Sequence, residues 1–381
     1  MITTDITAPF VYGAAELEKT ARGVRPHRLP GWARAQFPDP QLLMMEGQPS
    51  GVRLVMRTSA RIVELVAHPT RLGYQGADRP RGSFDLVADG NLVAGRQLDG
   101  GDLIEVDLRT GTSDFRPGTA HTTTFDGLPA GDKLIEIWLP HNESVELIAL
   151  RTDEPVRPAE PSRPRWVHHG SSISHGSNAS TPSRIWPAVA ARQGRADLRN
   201  LGFGGNALVD PFTARVIRDA PADLISVKLG INVVNHDAMR LRAFVPAVAG
   251  FLDTIRDGHP DTPLVLISPL FCGIHEDTPG PGAVDLDTLG TAQVRFTATG
   301  RPGDHDLGRL TLRVIRDALA ALAERRADDP NFHYLDGTRL YGEKDAAEHP
   351  LPDALHPDTA THQLIGERFA AYAFAPGGPF G

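Results

Sequence analysis

The first part of the chain alternates with the short period of a strand. Val52, Leu54 and Met56 interleave with Arg53, Val55 and Arg57, and further short apolar runs follow at 61–66, 83–88, 103–108, 133–139 and 145–150. Successive side chains of a strand point to opposite faces, so this pattern predicts strands packed in sheets. Asp89-Gly90 lies between two of the runs, and such a pair suits the positive φ values of a two-residue hairpin turn. Closely spaced short strands with turn signals predict an all-β sandwich of jelly-roll type.

The rhythm changes after residue 165. Short apolar runs at 165–169, 198–202, 224–229, 264–268 and 332–335 are separated by helical patterns. In one, Leu241, Phe244, Val245, Val248, Phe251, Leu252 and Ile255 share a helical face, and Gly258 with Pro260 beyond stops it. Pro246 fits only near the start of that helix, which leaves its first turn open. A second stripe is Leu312, Ile315, Leu319 and Leu322, with Arg313, Arg316 and Glu324 outside it. Strands alternating with helices predict a parallel sheet covered on both faces.

Between the two regions, Pro155, Pro158, Pro161 and Pro164 recur at every third position, as in an extended connector. The predicted organisation is a β-sandwich over 1–154, a Pro-rich linker over 155–164 and an α/β domain over 165–381. A Gly-, Pro- and Asp-rich stretch from Glu276 to Asp306 reads either as a lid or as a passive insertion.

Composition narrows the function classes. The 381 residues carry a formal charge of -8 at a sequence pI near 6.0, which argues against a nucleic-acid binder. Arginine supplies nearly all the positive charge, since Lys19, Lys133, Lys228 and Lys344 are the only lysines. Cys272 is the only cysteine, so no intramolecular disulfide is possible, and it reads as a buried inert thiol. Met1 to Leu17 shows no basic segment followed by an apolar run, and no apolar stretch has the length of a membrane span. A cytoplasmic protein without membrane or nucleic-acid partners is expected, and the sequence does not indicate its oligomeric state.

Four segments carry candidate chemistry. Ser172 stands in His169-Gly170-Ser171-Ser172-Ile173-Ser174-His175-Gly176, just after the first strand of the α/β region, where open sheets place their sites. A serine hydroxyl is a weak nucleophile and needs a neighbouring base. Asp353-Ala354-Leu355-His356 offers one, because a carboxylate three residues before a histidine can face it across a tight turn and orient the imidazole. Gly204-Gly205 in the loop after the second strand lets backbone amides approach a substrate. Asn232, after the third strand, offers a side-chain amide for an oxyanion. Taken singly, Ser172, the Asp353–His356 turn and Asn232 read first as turn or cap residues. Together, in this order and each at a strand end or loop, they form a serine-hydrolase set.

Two decoys stand beside these. Gly202, Gly204 and Ala207 fit a dinucleotide-binding glycine pattern, but the strand before them is not the first of its sheet. His168, His169 and His175 invite a metal reading, yet adjacent residues of a strand face opposite sides, so His168 and His169 do not readily share an ion. No cofactor and no metal are expected. Trp166 and Trp186 read as core residues.

These blocks resemble the SGNH hydrolases, the GDSL-type esterases and lipases, whose four blocks match in order at Ser172, Gly205, Asn232, and Asp353 with His356. Ser171 stands where the common motif has Asp. The string from Gly170 to Gly176 is similar to a two-domain subfamily with an N-terminal β-sandwich. Arg28-Leu29-Pro30 and Phe84-Asp85-Leu86 resemble early elements of that subfamily, with Val87 where Tyr is usual. The resemblance implies a flavodoxin-like three-layer α/β/α catalytic domain. It implies Ser172 as nucleophile, His356 as base and Asp353 as its orienter. It also implies an oxyanion hole from the Ser172 and Gly205 amides and the Asn232 side chain. The implied reaction is hydrolysis of small acyl esters, acetyl first, of carbohydrates or similar alcohols. The alternatives are acyl transfer by the same triad, or a non-catalytic carbohydrate-binding protein.

Overall fold

The computed structural model describes residues 1–75, 79–107, 109–291 and 293–381. Its β-rich half is two facing sheets. One runs Ser113–Arg116, Asp102–Val106, Val63–Tyr74, Glu143–Thr152, Val24–His27, Glu16–Lys19 in spatial order, with Ile2–Thr4 and His121–Phe125 paired beside it. The other runs Val156–Pro158, Arg53–Thr58, Lys133–Trp138, Ser83–Ala88, Asn91–Gln97, with Val11–Tyr12 against Arg53–Thr58. Leu54, Met56, Leu65, Ala67, Phe84, Leu86, Ile135, Ile137, Val145 and Leu147 fill the space between them. These are the alternating positions of the predicted strands. Asp89 and Gly90, with φ of 48° and 84°, close the hairpin that sets Ala88 opposite Asn91.

Two sequence expectations shift. Asn91–Gln97 is a strand that no apolar run announces, because it is the last strand of its sheet and almost wholly exposed. The Pro-rich connector begins as sheet: Val156–Pro158 pairs with Arg53–Thr58 at the opposite edge, where a residue without an N–H is tolerated. Leu108, at the end of the predicted run 103–108, lies outside the described residues.

The α/β half holds five parallel strands: β1 (Arg165–Gly170), β2 (Asp197–Gly202), β3 (Leu224–Lys228), β4 (Leu264–Ile267) and β5 (Phe332–Leu335). Their spatial order is 2-1-3-4-5, the flavodoxin-like order. Val167, Ile225, Val227, Leu264 and Leu266 face a layer formed by the helices Pro211–Asp219, Leu241–Gly258 and Leu312–Glu324. Trp166, Leu224, Val265 and Ile267 face Trp186–Gln193 and Thr359–Ala373 on the other side. Trp166 stacks on Phe369 at 5.2 Å, so both predicted tryptophans, Trp166 and Trp186, are core. The helix carrying Pro246 starts five residues before it, at Leu241. The proline removes one intrahelical bond, while Phe244, Val248, Phe251, Leu252 and Ile255 bury the face that holds the helix in place.

The two halves interlock. Leu29, Ala33 and Leu42, from the early chain, belong to the α/β core. Arg28 is fully buried with no carboxylate bonded to it among the described residues, and burial pulls its guanidinium down to about 9. Its N–H groups donate instead to the carbonyls of Asn200 (3.1 Å), Gly202 (2.7 Å), Met45 and Glu46. Asp85 accepts from the Ser183 backbone N–H at 3.1 Å and from its hydroxyl at 2.5 Å. Both early motifs of the resemblance are therefore bridges between the halves.

Candidate active site

β1, β2 and β3 end together at the point where the strand order reverses, the position that open α/β sheets use for ligands. β1 runs into a short helix, Ser172–His175, capped by Ser171, whose Oγ accepts from Ile173 N. Ser172 is thus a first-turn residue, and its N–H has no intrahelical acceptor. It keeps 9% of its surface, enough to be reached at the end of the sheet.

The structure brings Ser172, His356 and Asp353 into one hydrogen-bonded chain. His356 Nε2 lies 2.9 Å from Ser172 Oγ, and His356 Nδ1 lies 2.8 Å from Asp353 Oδ2. A carboxylate can only accept, so Nδ1 carries the hydrogen and Nε2 is left as the base facing the hydroxyl. Asp353 Oδ1 accepts from the backbone N–H groups of His356 (2.6 Å) and Leu355 (3.0 Å). Burial alone would push the Asp353 carboxyl up. The hydrogen bond and charge of His356 and these backbone donors outweigh it and hold the carboxyl below its ordinary value. The turn between the two residues places Ala354 at φ 67°, and its carbonyl accepts from the Cys272 thiol at 3.4 Å. Burial raises that thiol to about 12, which makes Cys272 an inert support for the loop.

The glycine turn adjoins Ser172, and Asn232 is tied to the residues that follow that turn. A Cβ on Gly204 would stand 3.7 Å from the Cβ of Ser172, so the glycine turn passes directly by the hydroxyl. Gly205 follows with φ 74°, and its N–H has no acceptor among the described residues. Asn232 is buried, and its Oδ1 accepts from Ala207 N at 3.0 Å. That contact ties the third block to the second and leaves the Asn232 NH2 group a donor without an acceptor among the described residues. A Cβ on Gly202 would lie 2.5 Å from His175 N, so this glycine is packed against the short helix.

Several residues at the site gave no signal in the sequence. Asn178 Nδ2 donates to Asp353 Oδ2 at 3.0 Å. Phe296 stands edge-on to His356 at 5.4 Å, and its N–H donates to Asp353 O at 2.8 Å. The 276–306 stretch therefore delivers a side chain to the site rather than passing it by. Lys228, at the end of β3, is buried, and burial pulls its ammonium down to about 8. Its Nζ lies 3.5 Å from Ser171 Oγ, and it has no ion pair among the described residues. Its rarity in an arginine-dominated chain was the only available hint.

The neighbouring histidines are structural. His168 bonds Ser226 Oγ and Ser174 Oγ at 2.8 Å each, while His169 turns the other way to Leu201 O. His175 faces the carbonyl of His141 and Gln48 Oε1 through Nε2, which leaves Nδ1 to accept from Arg28 at 3.1 Å.

This fold and this constellation define an SGNH-type ester hydrolase. The chain belongs to the GDSL-like lipase/acylhydrolase family, whose sequence profile matches residues 169–364. No curated protein matches it in sequence. Among solved structures, a salicylyl-acyltransferase from a tetracycline biosynthetic pathway is similar, with 29% identity and a TM-score of 0.79 over 96% of this chain and 95% of that one. A GDSL-like lipase from Bacteroides ovatus shares 18% identity at a TM-score of 0.65, over 94% and 93% of the two chains. An acetyl xylan esterase from Butyrivibrio proteoclasticus shares 12% identity at a TM-score of 0.52, over 98% of both. These last two likenesses are ones of fold. Among the described residues, no helix is long and apolar enough to cross a membrane.

Proposed function

We propose that the chain hydrolyses short-acyl esters, acetyl first, of carbohydrates or similar polyols through an acyl-enzyme on Ser172. The observation that carries this reading is the Ser172–His356–Asp353 chain, at 2.9 and 2.8 Å. Ser172 Oγ attacks the ester carbonyl as His356 Nε2 takes its proton, and Asp353 stabilises the imidazolium. The carbonyl oxygen gains charge and accepts from the amides of Ser172 and Gly205 and from Asn232. The C–O bond to the alcohol then breaks, and His356 returns the proton to the leaving oxygen. Water, deprotonated by His356, attacks the acyl-enzyme in turn and releases the acid and Ser172. The choice of a carbohydrate alcohol draws on the two-part architecture shared with the acetyl xylan esterase.

A second reading is acyl transfer to an alcohol instead of water. The salicylyl-acyltransferase favours it, because that likeness spans nearly the whole chain at 29% identity. One experiment tests both. p-Nitrophenyl acyl esters and acetylated sugars are offered to the native protein and to Ser172→Ala, with and without added alcohols, and free acid is measured against new ester. Activity that survives in Ser172→Ala overturns the mechanism, and new ester in excess of free acid selects transfer.

A further inference from the structure

The Ser172 mechanism assigns each substituent of the tetrahedral intermediate a direction. The leaving alcohol must lie within reach of His356 Nε2, on the side where Phe296 packs against the imidazole. The oxyanion points to Gly205 and Asn232. On this assignment the acyl chain takes the face that Gly204 shares with Ser172 Cβ.

That side is bordered by the early chain as well as by the α/β half. A Cβ on Gly204 would lie 2.8 Å from Met45 Sδ as well as 3.7 Å from Ser172 Cβ, so the thioether and the nucleophile flank the same backbone. A Cβ on Gly205 would lie 3.7 Å from Gln41 Nε2 and 3.8 Å from His236 Nε2. Gln41 Nε2 also donates to Gly204 O at 3.3 Å. Met45 is half-buried and Gln41 exposed, as residues bordering an open site should be. Both belong to the helix Pro40–Glu46.

That helix is firmly held. Asp39 caps it through Leu42 N at 2.8 Å, and Leu42 is buried in the α/β core. The carbonyls of Met45 and Glu46 are both taken by Arg28, which also grips Asn200 and Gly202 of β2, just before the glycine turn. Glu46 Oε1 accepts from His27 Nδ1 at 2.7 Å, and Oε2 from Leu29 N at 3.3 Å. The wall and the turn are thus clamped to each other by one buried guanidinium.

We propose that Met45, with Gln41 beside it, is the acyl-selecting wall of this enzyme and restricts it to short acyl groups. The proposal rests on Ser172 as the acylated residue. Arg28 is the positioning residue behind it. Acyl choice is then set by a helix of the early chain, whereas alcohol choice falls to the Phe296 side.

The test compares kcat/KM for p-nitrophenyl acetate, butyrate and octanoate in the native protein, Met45→Ala, Met45→Leu and Met45→Phe. Shortening Met45 to Ala should raise the butyrate-to-acetate ratio by about tenfold, the low end of what a methylene's space decides in a pocket. Met45→Leu, of similar volume, should keep the ratio within about threefold of native. Met45→Phe should lower it, and it serves as the second reading if Met45→Ala is not folded. A fluorophosphonate that labels Ser172 reports on site integrity in each variant. Variants that label normally but leave the ratio unchanged overturn the proposal, as does a native preference for octanoate. A native protein that neither cleaves acetate nor labels refutes the Ser172 reading instead.

Discussion

Asn178 and His356 bind the same oxygen of Asp353. Asn178 Nδ2 donates to Oδ2 at 3.0 Å, and His356 Nδ1 donates to it at 2.8 Å. Asn178 thus adds a second donor to the oxygen that orients the imidazole. Asn178 sits at φ 66°, where Asn and Gly are tolerated, so Asn178→Gly removes the side chain without straining the backbone. Because Asn178 is exposed, the loss should be near the low end for a hydrogen bond to a charged group, about tenfold in kcat, with KM little changed. Steady-state kinetics on acetate esters checks this, and an unaltered kcat would make Asn178 a bystander.

Asn232 has a divided task. Its Oδ1 holds Ala207 N, and its NH2 group has no partner among the described residues. Asn232→Asp keeps the acceptor and loses the donor, so the fold should survive. Loss of one oxyanion donor should lower kcat by about 10²–10³, and the added negative charge should lower it further. Equal melting temperatures with a kcat below one hundredth of native would match this outcome. Activity near native would remove Asn232 from the oxyanion hole.

Lys228 costs the fold stability at neutral pH. Its folded value of about 8 lies below the ordinary 10.5, so the unfolded chain holds the proton more tightly between those limits. The penalty is full below about pH 8 and is relieved as pH rises toward 10.5, with a total near 3 kcal/mol. Lys228→Met should therefore melt higher than native at pH 7, and the difference should shrink as pH rises through that window. The cation also stands behind Ser171, next to a site that develops an anion, so the stabler variant should lose kcat. Melting curves at several pH values, read beside kcat, separate the two effects.

A group of buried histidines sets the acid limit. Burial pulls His169 and His362 down to about 4 and His141 to about 3, and it holds His168 and His175 well below the ordinary value. The unfolded chain takes up these protons near pH 6.5, whereas the folded one resists. Stability should fall as pH drops from about 6.5 to 4, by about 1.4 kcal/mol per pH unit for each proton taken up. Chemical denaturation at pH 7 and pH 5 should show this fall. Equal midpoints at the two values would contradict the buried neutral state.

The sequence by itself was enough for the periodicities and for the punctuated motifs. Alternation at Leu54, Met56, Phe84 and Leu86 declared the sandwich, and the Leu241–Gly258 stripe declared a helix despite Pro246. Ser172, Gly205, Asn232, Asp353 and His356 stood out because strand ends, glycine turns and a DxxH turn are local features. Asn91–Gln97 was silent, since an exposed edge strand has no buried face to mark it. Asn178 and Phe296 beside Asp353 and His356, Lys228 behind Ser171, and Met45 against Gly204 were decided only in three dimensions. Each joins segments far apart in the chain, and a contact of that kind leaves no periodic trace in either partner. Even Arg28, legible as part of a motif, showed its task only when folding buried its charge and left Asn200, Gly202, Met45 and Glu46 carbonyls to receive it.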